Sequence, residues 1–142
     1  MGMLIHHNHS GYQLPDDHSL TRFAAYILKQ EQLDSGNINF IFTSNQEILE
    51  LNRKYLGHDY YTDVIAFHYG PVPHAEGDIF ISLDRVWENA GEYQVSFWDE
   101  LLRVFIHGLL HLIGYTDKTS GEREQMRALE DRYLQTYHLE FR

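Results

Sequence analysis

Two histidines spaced four residues apart are the side chains of this sequence best placed to do chemistry. His107 and His111 lie within an apolar segment, 105–117. Residues four apart on a helix project from the same face, so both imidazoles can bind one metal ion at about 2.0–2.1 Å. Gly114 is a natural helix end, and Asp117 is the nearest residue beyond it that can supply a third ligand. The pattern predicts a metal centre of His107, His111 and Asp117 at the end of a central apolar helix.

Two neutral imidazoles and one carboxylate, with an open coordination position, suit a catalytic Zn²⁺ ion, one per chain. The ligand set alone does not choose the metal, so Ni²⁺, Mn²⁺ and Fe²⁺ stay open. The alternative is a pair of helix histidines with satisfied hydrogen bonds and no metal. Two unpaired imidazoles in an apolar helix would carry a desolvation cost that a metal removes. Three other histidines could approach the ion, although a surface position is more typical of each: His58, His68 and His74.

The residue after the first histidine argues against peptide hydrolysis by the familiar zinc-protease mechanism. That motif, His-Glu-x-x-His, places a general-base glutamate where this chain has Gly108. Glycine offers no base. We expect Gly108 to remove bulk beside the metal and so to let a large substrate approach.

The elements that must position this centre form an α+β domain. Apolar residues recur at helical spacing in some segments and alternate in others, which gives the order βαβαββααα. The pattern predicts a small mixed sheet of about four strands covered by about five helices. Asp17 and Ser19 are the candidate caps of the first helix. The strands are predicted at 3–7, 38–43, 62–69 and 78–82, and the named helices at 17–32, from 44 through 55, at 96–114 and at 119–137.

Length and composition set further limits. The chain has 142 residues, no cysteine and a formal net charge of −10. This length fits one domain, 1–142, and the lack of cysteine excludes disulfides and a thiol nucleophile. No apolar run is long enough to span a membrane, and the first residues lack the pattern of a secretory signal, so we expect a cytoplasmic protein. The acidic charge weighs against non-specific binding of polyanions.

The segment 107–117 resembles the signature of the YbeY-type endoribonucleases, also called rRNA maturation factors. Their motif is H-G-x-L-H-L-x-G-x-D-H, and this chain reads H-G-L-L-H-L-I-G-Y-T-D. The resemblance extends over nearly the whole chain from residue 17 onward. Further residues carry it: Asn52, Tyr55, Thr62-Asp63-Val64, Phe67 and Glu76-Gly77-Asp78-Ile79.

The resemblance implies a metal-dependent, single-strand-specific endoribonuclease that acts in rRNA maturation and ribosome quality control with a metal-activated water. It implies a ribosomal RNA precursor as substrate and small-subunit ribosomal proteins as partners, with no membrane and no DNA. His107 and His111 would be catalytic as metal ligands. The residues expected to bind substrate are Arg53, Lys54, Thr62 and Asp63.

Two positions depart from the family pattern. Asp117 stands where the family has its third histidine, and this carboxylate would lower the net positive charge of the ion. Leu56 stands where family members usually carry an arginine. Arg53 and Lys54 are close in sequence and could substitute, although on a helix they face other directions.

Other readings stay open. The chain could be a metal-dependent hydrolase of another bond, such as an amide, or a non-catalytic metal-containing ribosome-assembly factor. Asp63 and Asp78 are candidate general bases. The last helix carries charges of both signs, including Arg123, Arg127 and Glu130, and this pattern indicates a solvated face with salt bridges. Four tyrosines could stack on unpaired bases, although core packing is the commoner role: Tyr60, Tyr61, Tyr69 and Tyr115.

Overall fold

Four strands and five α-helices follow one another in the predicted order. A computed structural model describes residues 2–34, 36–71 and 75–142. Single π-helical turns, Asn52–Leu56 and Tyr137–Phe141, extend the second and fifth helices. The elements are β1 (Met3–His7), α1 (Asp17–Gln30), β2 (Ile38–Thr43), α2 (Asn45–Leu51), β3 (Val64–His68), β4 (Gly77–Ser82), α3 (Leu83–Tyr93), α4 (Phe97–Leu112) and α5 (Ser120–Thr136). The predicted fold class, a small mixed sheet with about five helices, is confirmed.

The sheet has the order β1-β2-β4-β3. Strands β1, β2 and β4 are parallel, and β3 pairs with β4 in the antiparallel direction, with Ala66 opposite Ile79. In β2 the alternation predicted from sequence is present, since Ile38, Phe40 and Phe42 are all fully buried. The antiparallel edge strand β3 brings the segment after Thr62 beside α4.

Helix α4 is the centre of the core. Its apolar residues are buried almost all round the helix, and the Phe105 ring stacks on Phe40 of β2 with centroids 4.3 Å apart. Gly108 allows the close approach of α4 to the sheet, because a Cβ atom there would lie 2.8 Å from Ile79 Cγ2 and 2.9 Å from Val64 Cγ2. The expectation that Gly108 opens space for substrate is therefore wrong. Its missing side chain makes room for two strands.

The ends of several elements differ from the prediction, and two of these differences bear on named residues. Helix α1 is capped by Asp16, whose carboxylate accepts a hydrogen bond from the Ser19 amide at 2.8 Å, and not by Asp17 or Ser19. Strand β3 is shorter than 62–69, which leaves Thr62 and Asp63 in the connection before it. Within the described residues, no helix is both long enough and apolar enough to cross a membrane.

Candidate metal centre

The end of α4 turns the chain back toward the two histidines. The helix ends at Leu112, and Gly114 adopts φ +112°, a conformation that favours glycine. The Tyr115 amide then donates to the Leu110 carbonyl at 3.0 Å, which closes the turn. The predicted role of Gly114 as a helix end is confirmed.

The next segment is held in place by the first turn of α5. Arg123 donates to the carbonyl oxygens of Asp117 and Lys118 at 3.3 and 3.0 Å. A capping box joins Thr119 and Glu122, so that helix begins at a defined point. These contacts fix the backbone that carries the Asp117 carboxylate.

The three predicted ligands come together. His107 Nε2 and His111 Nε2 are 3.0 Å apart, and Asp117 Oδ2 lies 3.4 Å from each of them. Ligand atoms of a tetrahedral Zn²⁺ site, each about 2.05 Å from the metal, are about 3.3 Å from one another. The observed spacing therefore fits three ligands of one ion. A tetrahedral ion held by three protein ligands has a fourth position for water or substrate.

A buried carboxylate contacts the far side of the first histidine. Glu130 of α5 is only 5% exposed, and its Oε2 lies 2.5 Å from His107 Nδ1. Burial alone would lower the pKa of His107, but the hydrogen bond and charge of Glu130, together with Asp117 and Asp63, raise it above the ordinary value. A carboxylate on the second ring nitrogen fixes the tautomer and orientation of a metal-binding histidine.

Sequence reasoning assigned Glu130 to a solvated helix face, and the structure corrects this. The signal that could have identified it is its place in the buried stripe of α5, four residues after Met126 and three before Tyr133. Arg103 of α4 donates to Glu130 Oε1 at 3.1 Å and to Asp131 at 2.7 Å, so the buried carboxylate also has a cationic partner.

A cavity of about 680 Å³, here called the His107 cavity, adjoins the centre on this side. Burial raises the pKa of Glu100 to about 7, and the nearby Asp63 carboxylate adds to the shift. Burial also raises the pKa of Asp63, against the opposing charge of His107. Asn89 donates to Asp63 Oδ2 at 3.1 Å. The charged residues that line the cavity are Asp63, Asp99, Glu100, Arg103, Arg127 and Glu130, beside His107.

A second cavity of about 450 Å³, the His111 cavity, adjoins the centre on the other side. It lies between β3, the segment before β3 and the turn after α4. None of the described residues that line it carries a carboxylate. They are Asn52, Leu56, His58, Tyr60, Thr62, Val64, Ile65, Ala66, His68, His111, Gly114, Tyr115 and Thr116.

The four residues expected to bind substrate are not brought together. Thr62 lines the His111 cavity and Asp63 lines the His107 cavity, because successive residues before β3 face opposite sides of the centre. Arg53 pairs with Asp59 at 2.5 Å, and Lys54 Nζ lies over the Tyr55 ring at 5.2 Å. Neither cation is among the residues that line the two cavities.

The remaining candidates are also separated by the fold. His58 and His68 line the His111 cavity, whereas His74 lies outside the described residues. Asp78 and Ile79 are neighbours in β4, so their side chains lie on opposite faces of the sheet. Ile79 faces α4, and the Asp78 carboxylate lies on the other face, where it accepts hydrogen bonds from Asn39 and Tyr69. Of the four tyrosines, Tyr60 and Tyr115 line the His111 cavity, and Tyr60, Tyr61 and Tyr69 are exposed rather than in the core.

The fold and the site define a class: a small protein with a mixed sheet, whose central apolar helix ends at a candidate metal centre of two histidines and a carboxylate. The profile of the family described as endoribonuclease YbeY matches residues 7–138. The chain belongs to the endoribonuclease YbeY family.

Individual relatives agree with this assignment. The chain is 40% identical over 128 residues to the endoribonuclease YbeY of Flavobacterium psychrophilum, covering 90% of this chain and 91% of the relative. It is 48% identical over 124 residues to that of Cytophaga hutchinsonii, covering 87% of each. The solution structure of TM1509 from Thermotoga maritima is similar, with a TM-score of 0.65 and 32% identity over 92% of this chain and 86% of that one. The resemblance and the enzyme class predicted from sequence are confirmed.

Proposed function

We propose that this chain is a metal-dependent endoribonuclease that cleaves unpaired RNA strands in the maturation and quality control of ribosomal RNA. Its substrate would be a ribosomal RNA precursor in the cytoplasm, and small-subunit ribosomal proteins would be its partners. Residues 1–142 would act as one hydrolase domain, without a role at a membrane or on DNA. The observation that carries the proposal is the group of three ligand atoms 3.0–3.4 Å apart at the end of α4, in a chain of this family.

His107, His111 and Asp117 would hold one metal ion, for which we propose Zn²⁺, since two imidazoles and one carboxylate with an open position suit a catalytic zinc. The same three ligands also fit Ni²⁺, Mn²⁺ and Fe²⁺. When bound, the ion supplies a Lewis acid that activates water or polarises a phosphoryl oxygen. Glu130 would accept a hydrogen bond from His107 Nδ1–H, and this tautomer would present the Nε2 lone pair to the ligand group. Arg103 in turn orients the Glu130 side chain through an ion pair of 3.1 Å.

Asp63 is the candidate proton acceptor. It lines the same cavity as His107, and the hydrogen bond from Asn89 orients its carboxylate. Burial raises its pKa above the ordinary value of a carboxyl group, which makes the carboxylate a better proton acceptor. Thr62, on the opposite side of the centre, lines the His111 cavity and would contact the substrate there.

The test is a substrate panel with the untagged protein, since a histidine tag would bring its own metal. Single-stranded RNA should be cleaved, while duplex RNA, single-stranded DNA and a peptide should not. A chelator should abolish cleavage, and added Zn²⁺ should restore it. Cleavage of the peptide would support hydrolysis of an amide bond, and a metal-loaded protein that cleaves nothing would support a non-catalytic assembly factor.

Two substitutions of Asp117 test the third ligand. Asp117→Asn should lower the metal content, because an amide oxygen is a weaker donor to Zn²⁺ than a carboxylate. Asp117→His would replace an anionic ligand by the neutral one that the family resemblance implies. The rising limb of the pH–rate profile should then shift to lower pH. If both variants keep the metal content and pH profile of the parent, Asp117 is not a ligand.

A further inference from the structure

We propose that the His111 cavity binds one unpaired nucleobase of the RNA strand, with the rings of His58 and Tyr60 as its stacking platform. This inference rests on the proposed function, because it assigns a position to the substrate of that reaction. It concerns residues of the segment after the π-helical turn, which neither the metal centre nor the family motif includes.

The platform consists of two stacked rings that line the cavity. The centroids of His58 and Tyr60 are 5.0 Å apart and their planes differ by only 19°. The Tyr60 hydroxyl and His58 Nδ1 are joined by a hydrogen bond of 2.9 Å. The two rings stack on each other, and Tyr60 is still 53% exposed, so part of its surface is accessible to a planar ligand. Stacking on an aromatic ring suits every base, since each base has a π face.

A buried asparagine holds this platform in place. Asn52 is only 1% exposed, and its side-chain amide donates to the Tyr60 carbonyl at 2.8 Å. The backbone carbonyl of Asn52 accepts hydrogen bonds from the Gly57 amide and, at 3.0 Å, from the His58 amide. Gly57 makes this turn with φ +67°. The backbone that carries both rings is therefore held before a ligand arrives, which lowers the ordering cost of binding.

The same cavity reaches the candidate metal centre. His111 and Tyr115 line it together with His58 and Tyr60. Its volume of about 450 Å³ lies within the usual range of small-ligand pockets, about 300–1,000 Å³. A base bound on the platform would thus place its own nucleotide next to the ligand group.

The distribution of charge favours RNA binding in the His111 cavity. It also explains why base stacking, and not phosphate contacts, would supply most of the binding energy there. The described lining of the His107 cavity has four carboxylates against two arginines, one of which is paired with Glu130, and this acidic excess repels a phosphate backbone. The described lining of the His111 cavity has no carboxylate. The cations nearest in sequence are engaged, Arg53 with Asp59 and Lys54 with the Tyr55 ring. With few phosphate contacts, the plot of log affinity against log salt should have a slope smaller in magnitude than about 1.4, the value for two contacts to a single strand.

The experiment measures steady-state cleavage of a short single-stranded RNA by variants of the zinc-loaded protein. Tyr60→Ala should raise KM by about 5-fold or more, the lower limit for stacking of one base, with kcat little changed. His58→Ala should act in the same direction, and Tyr60→Phe should restore the parent KM. Tyr61→Ala is the matched control, since Tyr61 is an exposed neighbour that lines neither cavity.

A second measurement identifies the partner of Tyr60. In a series of RNAs, each has one abasic nucleotide at a different position. At one position the abasic RNA should bind the parent protein about 5-fold more weakly than the intact RNA does. Tyr60→Ala should bind that abasic RNA and the intact RNA equally well, because both changes remove the same stacking contact. Equal effects of Tyr60→Ala and Tyr61→Ala, or additive losses at every abasic position, would overturn the assignment. Fluorescence anisotropy with the same RNAs measures these affinities without cleavage. If the protein binds RNA but does not cut it, the proposed function is refuted, and the affinities still test the His111 cavity.

Discussion

The two sides of the candidate metal centre differ in almost every physical property. On the side of His107, helices α3, α4 and α5 enclose carboxylates and arginines, and Arg103 pairs with the buried Glu130. On the side of His111, an edge strand and two connecting segments form a cavity whose described lining holds aromatic, histidine and apolar side chains and no acid. Of the described residues, Val64 alone lines both cavities.

This difference separates two tasks. Packed helices can hold charged groups in one geometry, which is what the orientation of a metal ligand requires. Connecting segments at the surface are accessible, which is what a long substrate requires. The net charge of −10 is therefore less of an obstacle to RNA binding than composition indicates, because the carboxylates nearest to the centre lie on one side of it.

The largest effect on RNA cleavage is expected at the metal centre itself, which lies between the two cavities. His111→Ala should lose the bound metal and lower RNA cleavage by more than about 100-fold, because the chain then offers only two ligands. The fold should persist, since the core of α4 is apolar. Elemental analysis, a cleavage assay and circular dichroism measure these three properties. His6→Ala, an exposed histidine on β1, is the control, and full metal-dependent activity of His111→Ala would refute the catalytic role of this centre.

The next largest effect tests the His107 side. Glu130→Gln should weaken metal binding by about 10-fold or more, because the neutral amide no longer stabilises the tautomer of His107. Competition with a chromophoric chelator measures the affinity. Asp131→Asn is the matched control, since it removes only the exposed partner of Arg103. If the two variants bind metal equally well, Glu130 does not orient His107.

A third prediction concerns the stability cost of the buried acids. The pKa of Glu100 is raised from 4.5 to about 7 in the folded protein, so folding favours its protonated form. The resulting loss of stability develops as the pH rises from about 4.5 to about 7 and remains above that. Glu100→Gln should therefore increase the free energy of unfolding by about 1–3 kcal/mol at pH 8, and by much less at pH 4.5.

Urea unfolding at both pH values, in the presence of a chelator, measures this difference. Glu92→Gln, an exposed carboxylate at the end of α3, is the control and should change little at either pH. A gain for Glu100→Gln that is the same at both pH values would show that ionisation of Glu100 is not its source.

The smallest expected effect lies on the His111 side. Leu56 lines this cavity, and Leu56→Arg would supply the cation that the family resemblance implies there. It should lower KM for single-stranded RNA a few-fold and steepen the salt dependence by about 0.7, the value for one added phosphate contact. Leu56→Gln controls for the loss of the apolar side chain. An unchanged salt slope would show that no phosphate passes this position.

Local signals in the sequence were enough to predict much of this molecule. The pair His107 and His111, the turn at Gly114 and the order of the elements all depend on residues within a few positions of one another. Helical and strand periodicity is such a local property, and a glycine can end a helix by its own conformational freedom. The errors at the start of α1 and at the ends of β3 are shifts of one or two residues, where capping and pairing decide.

The sequence by itself determined the helix that carries the two histidines, the turn after it and the family to which the chain belongs. Only the tertiary structure decided that Glu130 contacts His107 from 23 positions away, and that Thr62 and Asp63 serve different cavities. It also decided that Gly108 accommodates Ile79 and Val64 and not a substrate. These contacts depend on which helix packs on which strand, because packing joins residues whose separation along the chain carries no local signal.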